Sequence, residues 1–517
     1  MTAHGPNRQV VLARAIPLLA GITYACIGIW WLRFVYLSDF FQMIWLAGAQ
    51  RACVPTAFAN GFLGMGYPAI LNAVTLVTGN ILTSGKLTQA AAGLAILAML
   101  PRLFRESFGD SAGVVLAQVL LAVDAVFVFA AAGETPDLLA AAFMTASLVA
   151  ATAFVQRPTA WTALGVGATL GVGYLVRYHA LLLLPWVVLG MAILAAPGSR
   201  RLAWWAVAGF VLAAAPQFVL SGVVQGNPLY NLHIKSVAMG YFGTSSDFVE
   251  KTRPYTLWRV LSENPSLVAK QYAVFVVRYF SEIGGTALLL SGAILAQRRQ
   301  GRLWALLVLP AAALTLLLAA KFYTDRAILF QLVIWYVVVA RALTQLGARG
   351  EPFLSRAAAA ALVVSIAVAS VVDGGRTWSR LARLRDRNSE VTAALRDAGL
   401  DDSRRVFTTH LSYYLADDPG GGAFYPHDTW LLYDRNYARE FPHAYLTDLR
   451  SLTSLVEQHD IRFLLLGPLT AELSEQVFHA QQSGNLGPGF RLVRTWGDLW
   501  LFEYAPERGP DAAPPMS

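Results

Sequence analysis

Charge is scarce in this chain. Only 14% of its 517 residues are Asp, Glu, Lys or Arg, against about a quarter in an ordinary soluble domain, and 56% are apolar. That balance excludes a wholly water-soluble fold, and long runs of Leu, Ala and Val up to about Val372 put the bulk of the chain in lipid. Cysteine is scarcer still. Cys26 falls in the first apolar run and Cys53 in a loop, so there is no disulfide framework and no thiolate metal spacing. A DxD-like loop and a clustered histidine site are also missing, and no Lys-Ser/Thr follows the glycine-rich turn at 417–422, which removes a P-loop. The net charge of +8 is scattered through short loops rather than gathered on one face, so it argues against a nucleic-acid partner; it fits membrane orientation and an anionic lipid substrate. No fixed-period repeat stands out, which disfavours the repeated halves of secondary transporters.

What is present is a series of apolar windows near 15–33, 84–101, 111–132, 137–155, 160–176, 180–196, 203–223, 280–296, 303–320, 327–344 and 357–372. Each is long enough, or nearly so, to cross a bilayer, which predicts an α-helical polytopic membrane protein with about eleven transmembrane helices. The first run ends in Trp30-Trp31 without a small-residue cleavage site and reads as a retained helix rather than a signal peptide. With the N-terminus in the cytoplasm, Arg102, Arg105, Arg157, Arg200, Arg201 and the arginines of the loops at 298–302 and 341–356 all fall inside, as the positive-inside rule requires. The expected location is the inner (plasma) membrane. Residues 1–372 then form a membrane domain with external loops 33–83 and 224–279, and residues 373–517 form an extracytoplasmic domain.

The first external loop contains amphipathic stretches, Asp39 to Gln50 and Tyr67 to Val77, suited to helices lying at the lipid surface. The tail alternates helix and strand patterns: a helix at 389–398, a strand at 406–409, a helix at 449–459, a strand at 461–466, then strands at 490–495 and 499–504 joined by Gly497-Asp498. That is a small α/β domain closing on a hairpin.

Ionisable groups at the edges of spans are costly to bury and so are candidate functional groups. They gather at the external ends: Asp39 after the first span, Glu134 and Asp137 in Gly-Glu-Thr-Pro-Asp, Arg177 and His179 in Val-Arg-Tyr-His-Ala, and Lys321, Asp325 and Arg326 in Lys-Phe-Tyr-Thr-Asp-Arg-Ala. Each has a plain structural explanation. Ser38 or Asp39 can cap the interfacial helix and Asp137 the fourth span. Arg177 can snorkel, Asp325 and Arg326 can form a local pair, and His179 alone reads as an interfacial histidine.

Taken in order, Asp39 beyond the first span, an aromatic interfacial helix, the Gly-Met-Gly-Tyr-Pro-Ala-Ile-Leu turn, the acid opening the fourth span and the base of Gly-Tyr-Leu-Val-Arg-Tyr-His resemble the GT-C superfamily of polytopic glycosyltransferases. The branch with protein O-mannosyltransferases and the aminoarabinose transferase of lipid A is the most similar. The resemblance implies that Asp39 matches the catalytic base of the first external loop, although Phe40 stands where relatives often carry a second acid. It implies that Asp137, or else Glu134, matches the acid of the second external loop, that Arg177 stands near the lipid phosphate, and that Arg326 resembles an Arg opening a late span. Lys321 is a further donor-phosphate candidate, and Glu134, Tyr178 and His179 complete the set.

The chemistry is sound without the family. A sugar on a polyprenyl phosphate carries an anionic leaving group, so transfer needs one base for the acceptor hydroxyl and cations for the departing phosphate. Arginine suits the second task because its planar fork gives two parallel hydrogen bonds and stays charged. The expected partners are the lipid bilayer, the polyprenyl-phosphate sugar as donor, and a glycan, lipid or protein acceptor. No cofactor is implied, and a divalent cation is compatible with the chemistry. The alternative is a transporter or flippase of a lipid-linked glycan, which would place its ionisable residues near mid-membrane in broken helices.

Overall fold

The structure, a computed structural model, describes residues 8–32, 38–51, 53, 55–59, 64–230, 262, 265–281, 301–319, 328–348, 352–397, 405–408, 448–458, 461–467 and 475–505. The chain divides into two compact units. One comprises Met1–Trp31, Leu46–Thr244 and Pro254–Ser379; the other comprises Leu32–Trp45, Ser245–Arg253 and Arg380–Ser517.

The first unit is helical, because in lipid only a helix satisfies every backbone N–H and C=O from within its own segment. In chain order it holds α1 (Arg8–Cys26, continued by a π turn Ile27–Trp31), the later part of α2 (Ser38–Arg51), α3 (Gly66–Thr78), α4 (Ile81–Phe108), α5 (Val114–Val123), α6 (Ala125–Ala132), α7 (Asp137–Gln156), α8 (Ala160–Val176), α9 (Leu184–Leu194) and α10 (Trp205–Gln225). These are followed by α11 (Pro265–Ser281), α12 (Gly301–Ala319), α13 (Leu329–Ala348) and the first part of α14 (Pro352–Asp397). Among the described residues four helical stretches are long and apolar enough to cross a bilayer alone: Val11–Trp31, Ile81–Phe108, Asp137–Gln156 and Pro197–Gln225. The bent pair α5 and α6 makes a fifth, and shorter apolar helices accompany them. Of the window expected at 280–296 only the first two residues, the end of α11, are described, and the turn at 417–422 lies outside the described residues.

Local sequence sets the helix ends. Asn80 caps α4, its Oδ1 accepting from the N–H groups of Leu82 and Thr83 at 2.9 and 3.0 Å, and Gly109 ends the helix at φ 79°. α8 and α10 pack through small residues: a Cβ on Gly167 would lie 1.7 Å from the Ala206 carbonyl oxygen, and one on Gly209 would lie 2.2 Å from that of Leu164.

Three expectations are corrected. The window at 111–132 is not one straight span: α5 and α6 meet at a 70° bend at Asp124, whose Oδ1 accepts from the Phe127 N–H at 3.0 Å and whose Oδ2 accepts from the Tyr336 hydroxyl at 2.7 Å. An acid that caps a new helix ends the old one. Arg341, expected in a cytoplasmic loop, lies within α13, buried and 2.6 Å from Asp110. The helix expected at 389–398 is the end of α14, which runs unbroken for 46 residues through Gly374 and Gly375.

The second unit carries a four-stranded sheet in the order β1 (Arg405–Thr408), β2 (Ile461–Leu466), β4 (Leu499–Tyr504), β3 (Phe490–Trp496). β1 and β2 are parallel, while β2 with β4 and β4 with β3 are antiparallel. The helices α15 (Leu449–Gln458) and α16 (Glu475–Ser483) supply Leu452, Val456 and Val477 to a core with Leu464, Leu466 and Phe502. Gly497, at φ 55°, turns the β3–β4 hairpin. Buried Glu503 receives the Arg462 guanidinium at 2.6 and 2.9 Å and also that of Arg491. Burial works against the Glu503 charge, but the two guanidinium hydrogen bonds outweigh it and hold the carboxyl below its usual range.

Candidate active site

α7 and α8 are consecutive, joined by a short turn, and pack side by side, so the start of α7 and the end of α8 share one end of the bundle. Asp137 is the first residue of α7 and Arg177 is the C-cap of α8. Each charge therefore sits where the helix dipole favours it. Arg177 Nη2 donates to Asp137 Oδ2 at 3.0 Å, and Nε lies 3.0 Å from Oδ1 as an ion-pair contact without hydrogen-bond geometry. Both side chains are about nine-tenths buried (11% and 9% exposed), and among the described residues no acceptor is engaged by Nη1. A guanidinium held along one edge by a carboxylate keeps a fixed orientation while its other N–H groups can still meet an anion.

Glu134, three residues earlier, does not share this pair. Its carboxylate lies 3.6 Å from Lys86 Nζ, and both side chains are almost wholly buried. Lys86 stands in the second turn of α4 and was not singled out from the sequence, because it sits inside a window whose average hydropathy is high. A lone lysine within an apolar run was the available signal. Lys86 and Gln89 lie one turn apart on α4, and both address the turn that opens α7. Gln89 Oε1 accepts from the Leu139 N–H at 3.2 Å, and its Nε2 donates to the Tyr67 hydroxyl at 3.1 Å. Tyr67, at the start of α3, donates its hydroxyl hydrogen to the Glu134 backbone carbonyl.

The Gly64-Met65-Gly66 turn leads into Tyr67 and lies against the end of α8. A Cβ on Gly64 would stand 1.9 Å from the Leu175 carbonyl oxygen, and one on Gly66 would stand 2.9 Å from the same oxygen. Two buried glutamines fix the turn from elsewhere. Gln217 of α10 accepts from the Met65 N–H at 3.1 Å and donates to the Phe58 carbonyl at 3.0 Å, while Gln50 donates to the Met65 carbonyl at 3.1 Å. The first loop, α4, α7, α8 and α10 thus converge on one end of the bundle.

The remaining candidates fall as follows. Asp39 is the second residue of α2, in the segment that groups with the second compact unit. Tyr178 is buried, its ring 5.1 Å from that of Tyr174, and His179 is half-buried in the 3-10 turn Tyr178–Leu183. Lys321, Asp325 and Arg326 lie outside the described residues. Among the described residues no group of three or more His, Cys, Asp or Glu side chains could hold a metal ion.

Comparisons bear on this arrangement. Residues 64–220 match the family described as dolichyl-phosphate-mannose-protein mannosyltransferase, a stretch that contains Tyr67, Lys86, Glu134, Asp137, Arg177 and Gln217. The crystal structure of ArnT from Cupriavidus metallidurans bound to undecaprenyl phosphate superposes with a TM-score of 0.62 at 15% identity, covering 98% of this chain and 100% of that one. The apo ArnT structure from the same organism gives 0.60 at 14% identity, with 96% and 97% covered. A search among curated proteins finds no match to the chain. With its helical membrane unit and its C-terminal sheet domain the chain shares the fold of these ArnT structures, and the segment that carries the buried ion pairs resembles the dolichyl-phosphate-mannose-protein mannosyltransferase family.

Proposed function

We propose that this protein transfers a hexosyl or pentosyl group from a polyprenyl-phosphate-linked donor to an acceptor hydroxyl on the extracytoplasmic side of the inner membrane. The observation that carries the reading is the buried Asp137–Arg177 pair: a cation fixed at the end of the bundle, inside the segment that matches a family named for a lipid-phosphate sugar donor.

Asp39 takes the proton of the acceptor hydroxyl. The acceptor oxygen forms its bond to the anomeric carbon from the face opposite the phosphate, the bond from that carbon to the phosphate oxygen breaks, and the electron pair leaves with the polyprenyl phosphate. Configuration inverts. Arg177, oriented by Asp137, stabilises the departing charge, with Lys321 and Arg326 as further cations and Glu134, Tyr178 and His179 lining the same end. The donor enters sideways from the bilayer, and the acceptor is a glycan, lipid or protein. A divalent cation would add to the phosphate binding; titration with EDTA decides whether turnover needs one.

One observation favours the transporter reading, the span broken at Asp124, a feature of transporter helices. Its carboxylate is engaged by the α6 cap and by Tyr336, which accounts for it structurally. The deciding experiment is sugar release from a panel of radiolabelled polyprenyl-phosphate sugars by membranes holding wild type or Asp39→Asn. Release of free polyprenyl phosphate by wild type and its loss in the variant supports the reading. Equal turnover in both removes Asp39 as base, and no turnover in either, with folded protein and acceptors present, removes the enzyme.

A further inference from the structure

The acid turn between α6 and α7 is held by a chain of hydrogen bonds that none of the proposed chemistry uses. At one end the Glu134 carbonyl accepts from the Tyr67 hydroxyl. At the other, the Leu139 N–H, one of the first-turn donors that a helix leaves without an internal partner, is accepted by Gln89 Oε1 at 3.2 Å. Gln89 Nε2 closes the chain by donating to the Tyr67 oxygen at 3.1 Å. Two side chains therefore bracket the segment 134–139, and Asp137 lies between the brackets. Tyr67 and Gln89 are both fully buried, so water does not compete for these bonds.

Tyr67 is itself held from a second direction. The glycines just before it press on Leu175, two residues ahead of Arg177, with no room for a side chain. The first external loop and α4 thus support both members of the Asp137–Arg177 pair, the acid through the phenol of Tyr67 and the α4 amide of Gln89, the base through two glycines of the loop. We infer that Tyr67 and Gln89 are positioning residues that set the Asp137 carboxylate, and through it the Arg177 guanidinium, for the phosphate of the donor. The part concerning the donor rests on the proposed function; the part concerning the turn does not.

The test uses the full chain in detergent. Tyr67→Phe keeps the ring and removes the hydroxyl, and Gln89→Met keeps the length and removes the amide. Hydrogen–deuterium exchange of the peptide covering 134–142 should quicken in both variants, while the peptide around Asp110 at the other end of the bundle stays unchanged. Unchanged exchange at 134–142 overturns the inference. Binding of undecaprenyl phosphate should weaken about three- to tenfold in Tyr67→Phe, the scale of one lost hydrogen bond. Because the effect runs through the acid, Tyr67→Phe should cost nothing more when placed on Asp137→Asn. An equal loss in both backgrounds means that Tyr67 supports the fold or the ligand independently of Asp137, and overturns the positioning role. Faster exchange at 134–142 with no binding of undecaprenyl phosphate by wild type would leave the turn's support standing and remove the donor reading instead.

Discussion

The helical unit and the sheet unit each contain carboxylates engaged by cations, in opposite surroundings. At the end of the bundle Asp137 faces Arg177 and Glu134 faces Lys86, and all four side chains are largely withdrawn from water. In the sheet, Glu503 holds two arginines, and both reach solvent, Arg491 with 76% of its side chain exposed. Water screens the second arrangement, so it is worth little, whereas desolvation makes the first costly to break but of small net benefit while intact. Stability alone therefore accounts poorly for the bundle pairs. Under the proposed function, fixed charge at a place withdrawn from water would serve a reaction that expels a phosphate.

The largest expected effect separates breaking a buried pair from replacing it. Glu134→Ala takes the carboxylate from buried Lys86 and should destabilise the helical unit by about 3–5 kcal/mol. Glu134→Leu combined with Lys86→Met should recover most of that loss. Thermal unfolding in detergent measures both, and a double variant no better than the single would refute the view that the pair contributes little net stability.

A smaller loss is expected from Gly64→Ala, because its methyl would meet the Leu175 carbonyl oxygen and force two backbones apart. Overpacking of this kind costs about 1–3 kcal/mol. The displaced α8 end should also raise the KM for the lipid-linked donor more than it lowers kcat.

The smallest effect belongs to the sheet. Glu503→Gln should lower stability by about 1 kcal/mol or less at pH 7. The folded-state pKa of Glu503 is depressed, so its contribution is fully present above the unfolded value of about 4.3 and is lost as pH falls through the folded one. Wild type and variant should thus differ at neutral pH and converge in acid. A gap that widened toward low pH would contradict the clamp.

Much of the fold was legible because its signals are local. Strands 461–466 and 499–504 begin and end where their apolar runs and the Gly497-Asp498 turn place them, and α8 ends at Val176 as its window does. Asp137 and Arg177 were both singled out and do meet. What escaped was information that a window average removes. Lys86 and Asp124 are single charges within apolar runs, and one proved to be the partner of Glu134 while the other breaks a span. The choice between Glu134 and Asp137 could not be made from spacing, since it depends on which cation each faces across the bundle. The apolar window at 357–372 stopped short of a helix that continues through Gly374 and Gly375, and α16 passed unmarked because its weak apolar pattern resembles a loop.

The bend at Asp124 has a consequence for the bilayer itself. α5 has 10 residues and α6 has 8, and they meet at 70°. At 1.5 Å per residue the two arms then reach no more than about 22 Å end to end however the pair is tilted, well short of a hydrocarbon layer of about 30 Å. Taken as one span, the pair would present to any lipid beside it a hydrophobic mismatch that tilting cannot relieve, and thinning of the adjoining leaflet would be the way to meet it.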